Sequence, residues 1–307
     1  MADVHLSWFD DLTAEQERNV LVLLAEAEEA DGVAPVGEQV LVRLRRGNSD
    51  DSAHLLAEEA GRLVGYAHLD LVGDSGGRKV SELAVRPSAR RHGVGTALVT
   101  SVADRVGVPL PATEGAPERL RVWAHGDHAG AVGLARTLGM AKVRELWQMR
   151  LVLADEPTGA ALPDGVRLRS FVPDQDEAAV VLVNHRAFSW HPEQGAMTEE
   201  DVRGKEQEEW FDPKGFLLAV DDADALLGFH WTKVHSPGVG EVYVVGVDPD
   251  AQGGGLGRAL TMAGLRRLWD VGVREVLLYV EADNAPAVHV YTRLGFARHA
   301  ADVQYAL

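Results

Sequence analysis

The strongest constraint in this sequence is a glycine-spaced turn that occurs twice, 162 positions apart. Residues 86–98 read RPSARRHGVGTAL, and residues 248–260 read DPDAQGGGLGRAL. The shared positions are a proline, a polar residue, two glycines and an Ala-Leu pair: Pro87, Arg90, Gly93 and Gly95 in the first copy, and Pro249, Gln252, Gly255 and Gly257 in the second. A chain of 307 residues with the same turn in each half is predicted to hold one fold twice.

The segments around the two turns also follow one order. In the first half a helical pattern with a capping-type start at Thr13 and Gln16 or Glu17 precedes a predicted hairpin around Ala60-Gly61. The strand KVSELAV, the turn and its helix follow, and then a strand, a short helix and a strand. The second half repeats this order, with its hairpin around residues 221–224 and DVQYAL as its last strand. Between the halves, residues 154–165 (ADEPTGAALPDG) have the composition of a linker. We therefore predict two domains, residues 1–154 and 163–307.

Each turn leads from a strand into the start of a helix, where backbone N–H groups have no intrahelical acceptor. Together with the positive end of the helix dipole, these groups form an anion site suited to a pyrophosphate, and glycine allows close approach or positive φ. Neither turn fits the dinucleotide fingerprint G-x-G-x-x-G, because the sixth position is Arg258 counted from Gly253 and Leu98 counted from Gly93. Neither contains the GK[ST] of a P-loop.

The amino-acid composition indicates which classes of binding partner to expect. The formal net charge of -17 repels nucleic-acid phosphates and attracts cationic small molecules, although a generally acidic solvated surface explains it equally well. The absence of cysteine excludes disulfides, thiolate metal sites and a cysteine-linked acyl-enzyme, so any acyl transfer would be direct. No apolar run has the length of a membrane span, and the acidic start lacks an export signal. We predict a cytoplasmic monomer without nucleic-acid or membrane partners.

The pattern [Q/R]-x-x-G-x-[G/A] after a strand resembles the acetyl-CoA loop of the GCN5-related N-acetyltransferases (GNAT), with matches that begin at Gln252 and at Arg90. Each match is followed by a strand and a closing Leu-Gly-Phe or Leu-Gly-Met, which makes two unrelated glycine-rich turns the weaker explanation. The resemblance implies an α/β (α+β) fold of two tandem GNAT-type domains, each a mixed, mostly antiparallel sheet flanked by helices. It also implies acetyl-CoA as cosubstrate and no metal.

In this family the strand before the loop is bulged and diverges from the next strand, and its free amides pair with the pantetheine arm. The resemblance assigns the pantetheine contacts to Val245, Gly246 and Val247, and in the first half to Leu83, Ala84 and Val85. It assigns the pyrophosphate contacts to Gln252, Gly253, Gly254, Gly255, Leu256, Gly257 and Arg258, and in the first half to Arg91, His92, Gly93, Val94, Gly95 and Thr96. Asn284 is implied as a further cofactor contact and is also a typical helix N-cap residue.

The resemblance also implies two catalytic groups. In many relatives a glutamate eleven residues before the loop glutamine is the base, which here is Glu241, and a tyrosine four residues before the closing glycine is the acid, which here is Tyr291. The same positions of the first half are Lys79 and Ala135. We therefore expect both halves to bind acetyl-CoA and only the second to catalyse transfer. A solvated strand-end carboxylate and a core-packed tyrosine are the alternative interpretations.

Over the whole chain, the tandem arrangement and the segments NHRAFSWHPEQG and DGVAPVGEQVL resemble a GNAT subgroup that acetylates the cysteinyl amine of a cysteine-glucosamine-inositol pseudodisaccharide. The substrate contacts that this resemblance implies are Glu38, Glu193, Lys233, Glu241 and Tyr279. Asp31 and Glu199 are alternatives to Glu38 and Glu193. Acids can hold an ammonium group and hydroxyls, and lysine can meet a sugar or amide oxygen.

Two other functions fit parts of the sequence. A tandem GNAT that acetylates another small amine, such as an aminoglycoside or an amino acid, fits every motif except NHRAFSWHPEQG. A non-catalytic CoA-sensing protein fits the first half but leaves Glu241 and Tyr291 without a role. A metal site at His125, Asp127 and His128 is disfavoured, because this stretch aligns with the helix-start loop EADN of the second half.

Overall fold

The computed structural model describes residues 4–46, 51–74, 76–112, 115, 117–126, 128–159, 161–190, 194–236 and 238–307. The chain divides into two compact units. Unit 1 consists of Met1–Trp147, Glu281–Asp283 and Ala300–Leu307, and unit 2 consists of Gln148–Val280 and Asn284–His299. The domain boundaries at residues 154 and 163 stay a prediction, whereas the compact units assign the end of the chain to unit 1.

Unit 1 contains helices and strands in the predicted order. Its elements are β1 (His5–Phe9), α1 (Ala14–Asp31), α2 (Glu38–Arg46), β2 (Ser52–Glu59), β3 (Arg62–Asp70), β4 (Lys79–Val85), α3 (Val94–Val106), β5 (Leu120–Ala124), α4 (Ala129–Leu138) and the first part of β6 (Ala141–Val152). Helix α1 begins with a capping box in which Thr13 and Gln16 bond each other's backbone N–H, as the sequence spacing predicts. Strand β1 and helix α2 were not predicted, because at five and nine residues both are shorter than the stretch over which hydrophobic periodicity identifies an element.

The sheet of unit 1 is mixed. Strands β1 to β4 pair with their sequence neighbours in antiparallel fashion, and β4 pairs with β5 in parallel. The predicted hairpin at Ala60-Gly61 connects β2 to β3, with positive φ at both residues, as a tight two-residue turn requires. Helix α3 forms the crossover of the parallel pair. One apolar cluster packs α3 against the sheet through Leu98, Val102 and their neighbours, and a second packs α1 on β2 and β3.

Unit 2 repeats the order of elements. Its elements are β7 (Arg167–Ser170), α5 (Glu177–Ala187), α6 (Glu199–Glu206), β8 (Phe216–Val220), β9 (Leu226–Ser236), β10 (Val239–Val247), α7 (Leu256–Asp270), β11 (Glu275–Glu281), α8 (Ala285–Arg293) and β12 (Ala297–Ala306), of which Ala300 onward belongs to unit 1. Strands β7 to β10 are antiparallel and β10 pairs with β11 in parallel. Two tandem copies of a mixed, mostly antiparallel sheet with flanking helices confirm the predicted fold class.

The core of unit 2 is aromatic. Phe216 stacks between Phe171 and Trp231, with ring centroids 4.5 and 4.3 Å away. His230 is fully buried against α7, where one ring nitrogen lies 2.8 Å from the carbonyl oxygen of Leu260. A Cβ on Gly264 would lie 2.0 Å from the His230 ring, so α7 can approach the sheet here only with glycine.

The last strand of the chain has a partner that its sequence did not indicate. We predicted DVQYAL as a strand that ends the second domain. Residues Val303 to Ala306 instead pair antiparallel with β5, from Val303 opposite Ala124 to Ala306 opposite Arg121. This corrects the expected place of the strand: unit 1 is completed by residues that follow unit 2 in sequence. No helix of the described residues is long and apolar enough to span a membrane.

Candidate functional site

The loop of unit 2 exposes the start of α7. After β10 a short turn over Pro249–Ala251 leads to Gln252, whose side-chain amide donates to the carbonyl oxygen of Val247 at 3.2 Å. Gly255 is the N-cap at φ +83 and makes no side-chain capping bond, and Gly253 has φ +89. The first N–H groups of α7 therefore face outward beside an exposed glycine run, which is the geometry of an anion site.

The loop of unit 1 has nearly the same geometry. Arg90 takes the place of Gln252 and donates from Nε to the carbonyl oxygen of Val85 at 3.1 Å. Gly93 is the N-cap of α3 at φ +93, without a side-chain capping bond. The guanidinium of Arg90 forms two 2.7 Å bonds to Asp31 at the end of α1, so this arginine is held in place by a bidentate ion pair.

In both units the parallel strands separate next to the loop. The pairing of β10 with β11 ends at Val242 opposite Leu278, and the pairing of β4 with β5 ends at Glu82 opposite Trp123. The residues that follow on β10 and β4 have no partner on that side among the described pairs. They include the predicted pantetheine contacts 245–247 and 83–85. Their backbone groups on that side can therefore bond a ligand. Only β10 has a bulge here, at Tyr243.

A cavity of about 900 Å³ lies beside the loop of unit 1. Its walls are formed by the end of β4, the loop, the end of β5 and helix α4, with Tyr305 from the last strand. Leu83, Ala84, Val85, Arg91, Gly93, Gly95 and Thr96, all predicted cofactor contacts, line this cavity. Two predicted contacts of this loop, His92 and Val94, do not line the cavity. The cavity volume lies in the range of small-molecule binding sites.

In unit 2 the candidate base Glu241 is a buried carboxylate on β10 and not a solvated strand end. It is 6% exposed, and its Oε2 lies 2.6 Å from His235 Nε2 on β9. Its cross-strand neighbour on β9 is Lys233, which is 4% exposed. The Lys233 ammonium lies 4.7 Å from the ring centroid of Trp210 and 5.6 Å from that of Tyr243, the extra residue of the β10 bulge.

The candidate acid Tyr291 lies on α8. Asn284 is the N-cap of this helix, and its side chain accepts a bond from the Ala287 N–H at 3.2 Å. The ring of Tyr291 meets Phe296 edge-on at 5.8 Å. Burial raises the pKa of Tyr291 to about 12, so the phenol keeps its proton at neutral pH. A protonated hydroxyl is the state that a general acid requires.

The other predicted substrate contacts are only partly placed. Tyr279 on β11 is 45% exposed and its hydroxyl accepts a 2.8 Å bond from Gln148. Glu38 is the exposed first residue of α2 in unit 1. Glu193 lies outside the described residues. Of the two alternatives, Asp31 is bound by Arg90, and Glu199 pairs with Arg203 on the same helix at 2.8 Å.

Glu82, His125 and Asp302 form a largely buried charged triad in unit 1 that was not predicted from the sequence. Glu82 Oε2 lies 2.9 Å from His125 Nε2, His125 Nδ1 lies 3.1 Å from Asp302, and the backbone N–H of Gly37 donates to Glu82 at 2.5 Å. Burial alone would lower the pKa of His125, but its bonds to Asp302 and Glu82 outweigh burial and raise the pKa to about 10. The imidazolium in turn lowers the pKa of Glu82 against the effect of burial.

The triad explains why His125 is no metal ligand, since both ring nitrogens are bonded to carboxylates. Asp127, the second residue of the disfavoured metal group, lies outside the described residues. Among the residues that the structure does describe, no cluster of His, Asp or Glu could hold a metal ion. The sequence signal for the triad was weak, because its three members lie on β4, directly after β5, and on the last strand.

We expect His125→Ala to lower the free energy of unfolding by about 3–5 kcal/mol at pH 7, because two buried carboxylates lose their counter-charge. His125 has a folded pKa above its ordinary value of 6.5, so its contribution is complete below that value and is lost as pH rises through about 10. The difference between wild type and variant should therefore shrink from neutral to alkaline pH. Urea unfolding of the full chain at several pH values measures it, with the exposed His5→Ala as control. An equal loss in both variants would contradict this account.

A family model and the named relatives of this chain are all acetyltransferases. The family model described as "Acetyltransferase (GNAT) family" matches residues 21–140 and 184–296. A protein named "Mycothiol acetyltransferase" from Actinosynnema mirum is 64% identical over 311 residues, which cover 100% of both chains. One with the same name from Saccharopolyspora erythraea is 53% identical over 304 residues, 93% of this chain and 99% of the relative.

Solved structures show the same architecture. A "GCN5-related N-Acetyltransferase from Sphaerobacter thermophilus" is similar with a TM-score of 0.76 and 26% identity, over 98% of this chain and 95% of that one. A "Tandem GNAT protein from the clavulanic acid biosynthesis pathway" has a TM-score of 0.74 at 22% identity, over 99% of this chain and 98% of that one, which supports the fold alone. Each matched range of the family model contains one of the two glycine loops.

Proposed function

The chain belongs to the acetyltransferase (GNAT) family and is an acetyl-CoA-dependent N-acetyltransferase, and we propose that it acetylates the cysteinyl amine of a cysteine-glucosamine-inositol pseudodisaccharide to give mycothiol. The observation that carries this proposal is the full-length similarity to relatives named for mycothiol, with 64% sequence identity to the protein from Actinosynnema mirum. The buried Glu241 and the protonated Tyr291 in unit 2 supply the acid-base groups that the reaction needs.

We propose direct transfer from acetyl-CoA. The acceptor ammonium gives a proton to Glu241, directly or through water, and the freed nitrogen lone pair attacks the thioester carbonyl. The tetrahedral intermediate loses the second proton of its nitrogen to solvent. When the carbon–sulfur bond breaks, Tyr291 donates its phenolic proton to the departing thiolate and is then reprotonated from solvent. An α-amine titrates near 8, well below the lysine side chain at about 10.4, so a carboxylate base is sufficient for a cysteinyl acceptor.

Acetyl-CoA binding in unit 2 is proposed to use the free edge of β10 and the loop. Val245, Gly246 and Val247 would bond the pantetheine arm, and residues 252–258 would hold the pyrophosphate with the N–H groups at the start of α7. Asn284 is already used as the N-cap of α8, so its contact with the cosubstrate is a second role. For the acceptor, we propose contacts with Lys233, Tyr279 and Glu241 of unit 2, whereas the contacts with Glu38 and Glu193 stay predictions from the sequence.

Unit 1 is proposed to bind acetyl-CoA without catalysing transfer. Its loop and free strand edge match those of unit 2, and its cavity has the size of a ligand site. The position of the base holds Lys79, whose ammonium donates to the Leu71 carbonyl oxygen, and the position of the acid holds the buried Ala135. Glu82 is a carboxylate near this site, but it is bonded to the His125 imidazolium, which makes it a weak proton acceptor.

Matched glycine variants test whether unit 1 binds acetyl-CoA without catalysing transfer. Valine at the N-cap of α3 (Gly93→Val) or α7 (Gly255→Val) is strained, because φ is +93 and +83 there. Because the bound loop keeps this conformation, a strain of about 1–3 kcal/mol weakens acetyl-CoA binding by about 5- to 150-fold. We expect Gly255→Val to raise the KM for acetyl-CoA, and Gly93→Val to weaken one of two calorimetric binding events by a factor in this range while the kinetics of transfer stay unchanged. Slower transfer in Gly93→Val alone would refute the assignment.

The identity of the product tests the proposed function itself. The protein, acetyl-CoA and the cysteinyl pseudodisaccharide should yield one free CoA thiol for each amide formed, and tandem mass spectrometry should place the acetyl group on the cysteinyl nitrogen. An acetylated sulfur, or CoA release without an acetylated product, would show that the chain does not perform this reaction. The monomeric state and the cytoplasmic location stay predictions.

A further inference from the structure

The proposed base Glu241 is bonded by a histidine that the mechanism above does not use. His235 Nε2 lies 2.6 Å from Glu241 Oε2. The Glu241 side chain is only 8% exposed, whereas the His235 side chain is 35% exposed. A short bond to one oxygen of a buried carboxylate fixes the orientation of the whole group and leaves the other oxygen, Oε1, for a different partner.

A bulge in the sheet gives His235 this position. Ser236 pairs with Val239 and Val234 pairs with Gly240, so His235 is an extra residue of β9 without a partner in the ladder. A bulge re-aims a side chain relative to its regular alternation, and such bulges are frequent beside active sites. The backbone of the β9–β10 hairpin therefore holds His235 against Glu241, which lies two residues into the paired part of β10.

The charged and titratable groups around this pair lie on β9, β10 and α6. On β9, Lys233 is the cross-strand neighbour of Glu241, and its ammonium lies against the rings of Trp210 and of Tyr243 on β10. On α6, the Lys205 ammonium lies 5.7 Å from the ring of Tyr243. On β11, the residue opposite Glu241 is the apolar Leu277.

We propose that His235 is a positioning residue for acetyl transfer. In its neutral form the Nε2–H donates to Glu241 Oε2, and Glu241 Oε1 then takes the proton of the acceptor ammonium: an N–H bond breaks, an O–H bond forms, and the nitrogen lone pair attacks the thioester. This inference rests on the proposed role of Glu241.

Two substitutions test the hydrogen-bond donor. In His235→Gln the amide Nε2 can replace the ring N–H, whereas His235→Leu removes the donor at similar size. We expect kcat of His235→Gln with the cysteinyl pseudodisaccharide to stay within about threefold of wild type. His235→Leu should lose about tenfold or more at every pH, because the carboxylate is no longer oriented. Exposed His299→Gln in unit 2 is the matched control.

A double-mutant cycle distinguishes this inference from the proposed function. If His235 acts only through Glu241, adding His235→Leu to Glu241→Gln should cause no further loss of kcat. Wild-type kcat in Glu241→Gln would overturn the base assignment itself. A slow Glu241→Gln together with a fully active His235→Leu, or a His235→Gln as slow as His235→Leu, would overturn only the role of His235. Thermal unfolding of each variant shows that it is folded, and calorimetry shows that acetyl-CoA still binds.

Discussion

In a competition among three amines at equal concentration, we expect the cysteinyl pseudodisaccharide to be acetylated at least about 10³-fold faster, in kcat/KM, than free cysteine or a lysine peptide. Mass spectrometry of the products after partial conversion of the mixture gives the ratio directly.

The physical reason is the use of remote contacts. Binding energy from sugar and inositol hydroxyls can orient the reacting amine against the thioester, so a truncated acceptor loses rate as well as affinity. The buried Lys233 is suited to such a contact because the rings of Trp210 and Tyr243 hold its ammonium in one place. The lysine peptide has a second disadvantage, because its amine is about 10²-fold less deprotonated at neutral pH than an α-amine.

A ratio near one would refute the proposed acceptor. If free cysteine or the peptide is acetylated as fast as the pseudodisaccharide, the chain remains an N-acetyltransferase of the GNAT family but acts on another small amine. An aminoglycoside in the same mixture extends the test to the alternative that the sequence left open. Lys233→Met keeps the length of the side chain and removes the charge, and it should lower kcat/KM for the pseudodisaccharide more than for free cysteine.

Glu241→Gln should lower kcat by about 10² to 10⁴ and leave the affinity for acetyl-CoA within a few-fold, because a general base contributes this much and does not hold the cosubstrate. Glutamine keeps the shape of the side chain and can still bond His235, so the loss reports the missing proton acceptor. Steady-state kinetics and calorimetric titration with acetyl-CoA measure the two effects. Glu275→Gln, at a half-exposed ion pair with Arg150 on the same unit, is the control and should retain full activity.

Tyr291→Phe should lower kcat by about 10² or more for the complementary reason, since the departing thiolate then lacks its proton donor. Burial already raises the pKa of this phenol to about 12, so the alkaline limb of wild-type activity should not come from its ionisation below that pH. Wild-type turnover in Tyr291→Phe would leave Tyr291 as a core residue packed on Phe296. Loss of acetyl-CoA binding in either variant would place the residue in the cosubstrate site instead.

The two glycine loops could be predicted from sequence because all their determinants are local. A strand, a polar residue and glycines at fixed spacing specify the turn, and the structure shows Gly93 and Gly255 as helix N-caps with positive φ. The capping box at Thr13 and the hairpin at Ala60-Gly61 were predicted for the same reason. Strand β1 and helix α2 were missed because short elements are stabilised by packing more than by their own pattern.

The family resemblance implied a bulge in the strand before the loop, but the side chains that the bulges bring together could not be predicted. Counting residues from the loop finds Glu241, but it does not show that β9 and β10 each carry an extra residue near it. The bulge at His235 aims a histidine at Glu241, and the bulge at Tyr243 places an aromatic ring against Lys233. A bulge results from the pairing of two strands, so neither strand shows it alone.

By itself the sequence determined the duplicated order of elements, the two glycine loops at helix N-termini, and the presence of a glutamate and a tyrosine at the two family positions of the second copy but not of the first. These features follow from spacing along the chain. The tertiary structure alone decided which strand completes unit 1 and which charged groups come together. Strand β12 pairs with β5, and Asp302 thereby meets His125, whose other ring nitrogen bonds Glu82. Strand pairing depends on hydrogen bonds between distant segments, and burial of charge depends on what surrounds it, so neither is encoded at a fixed spacing.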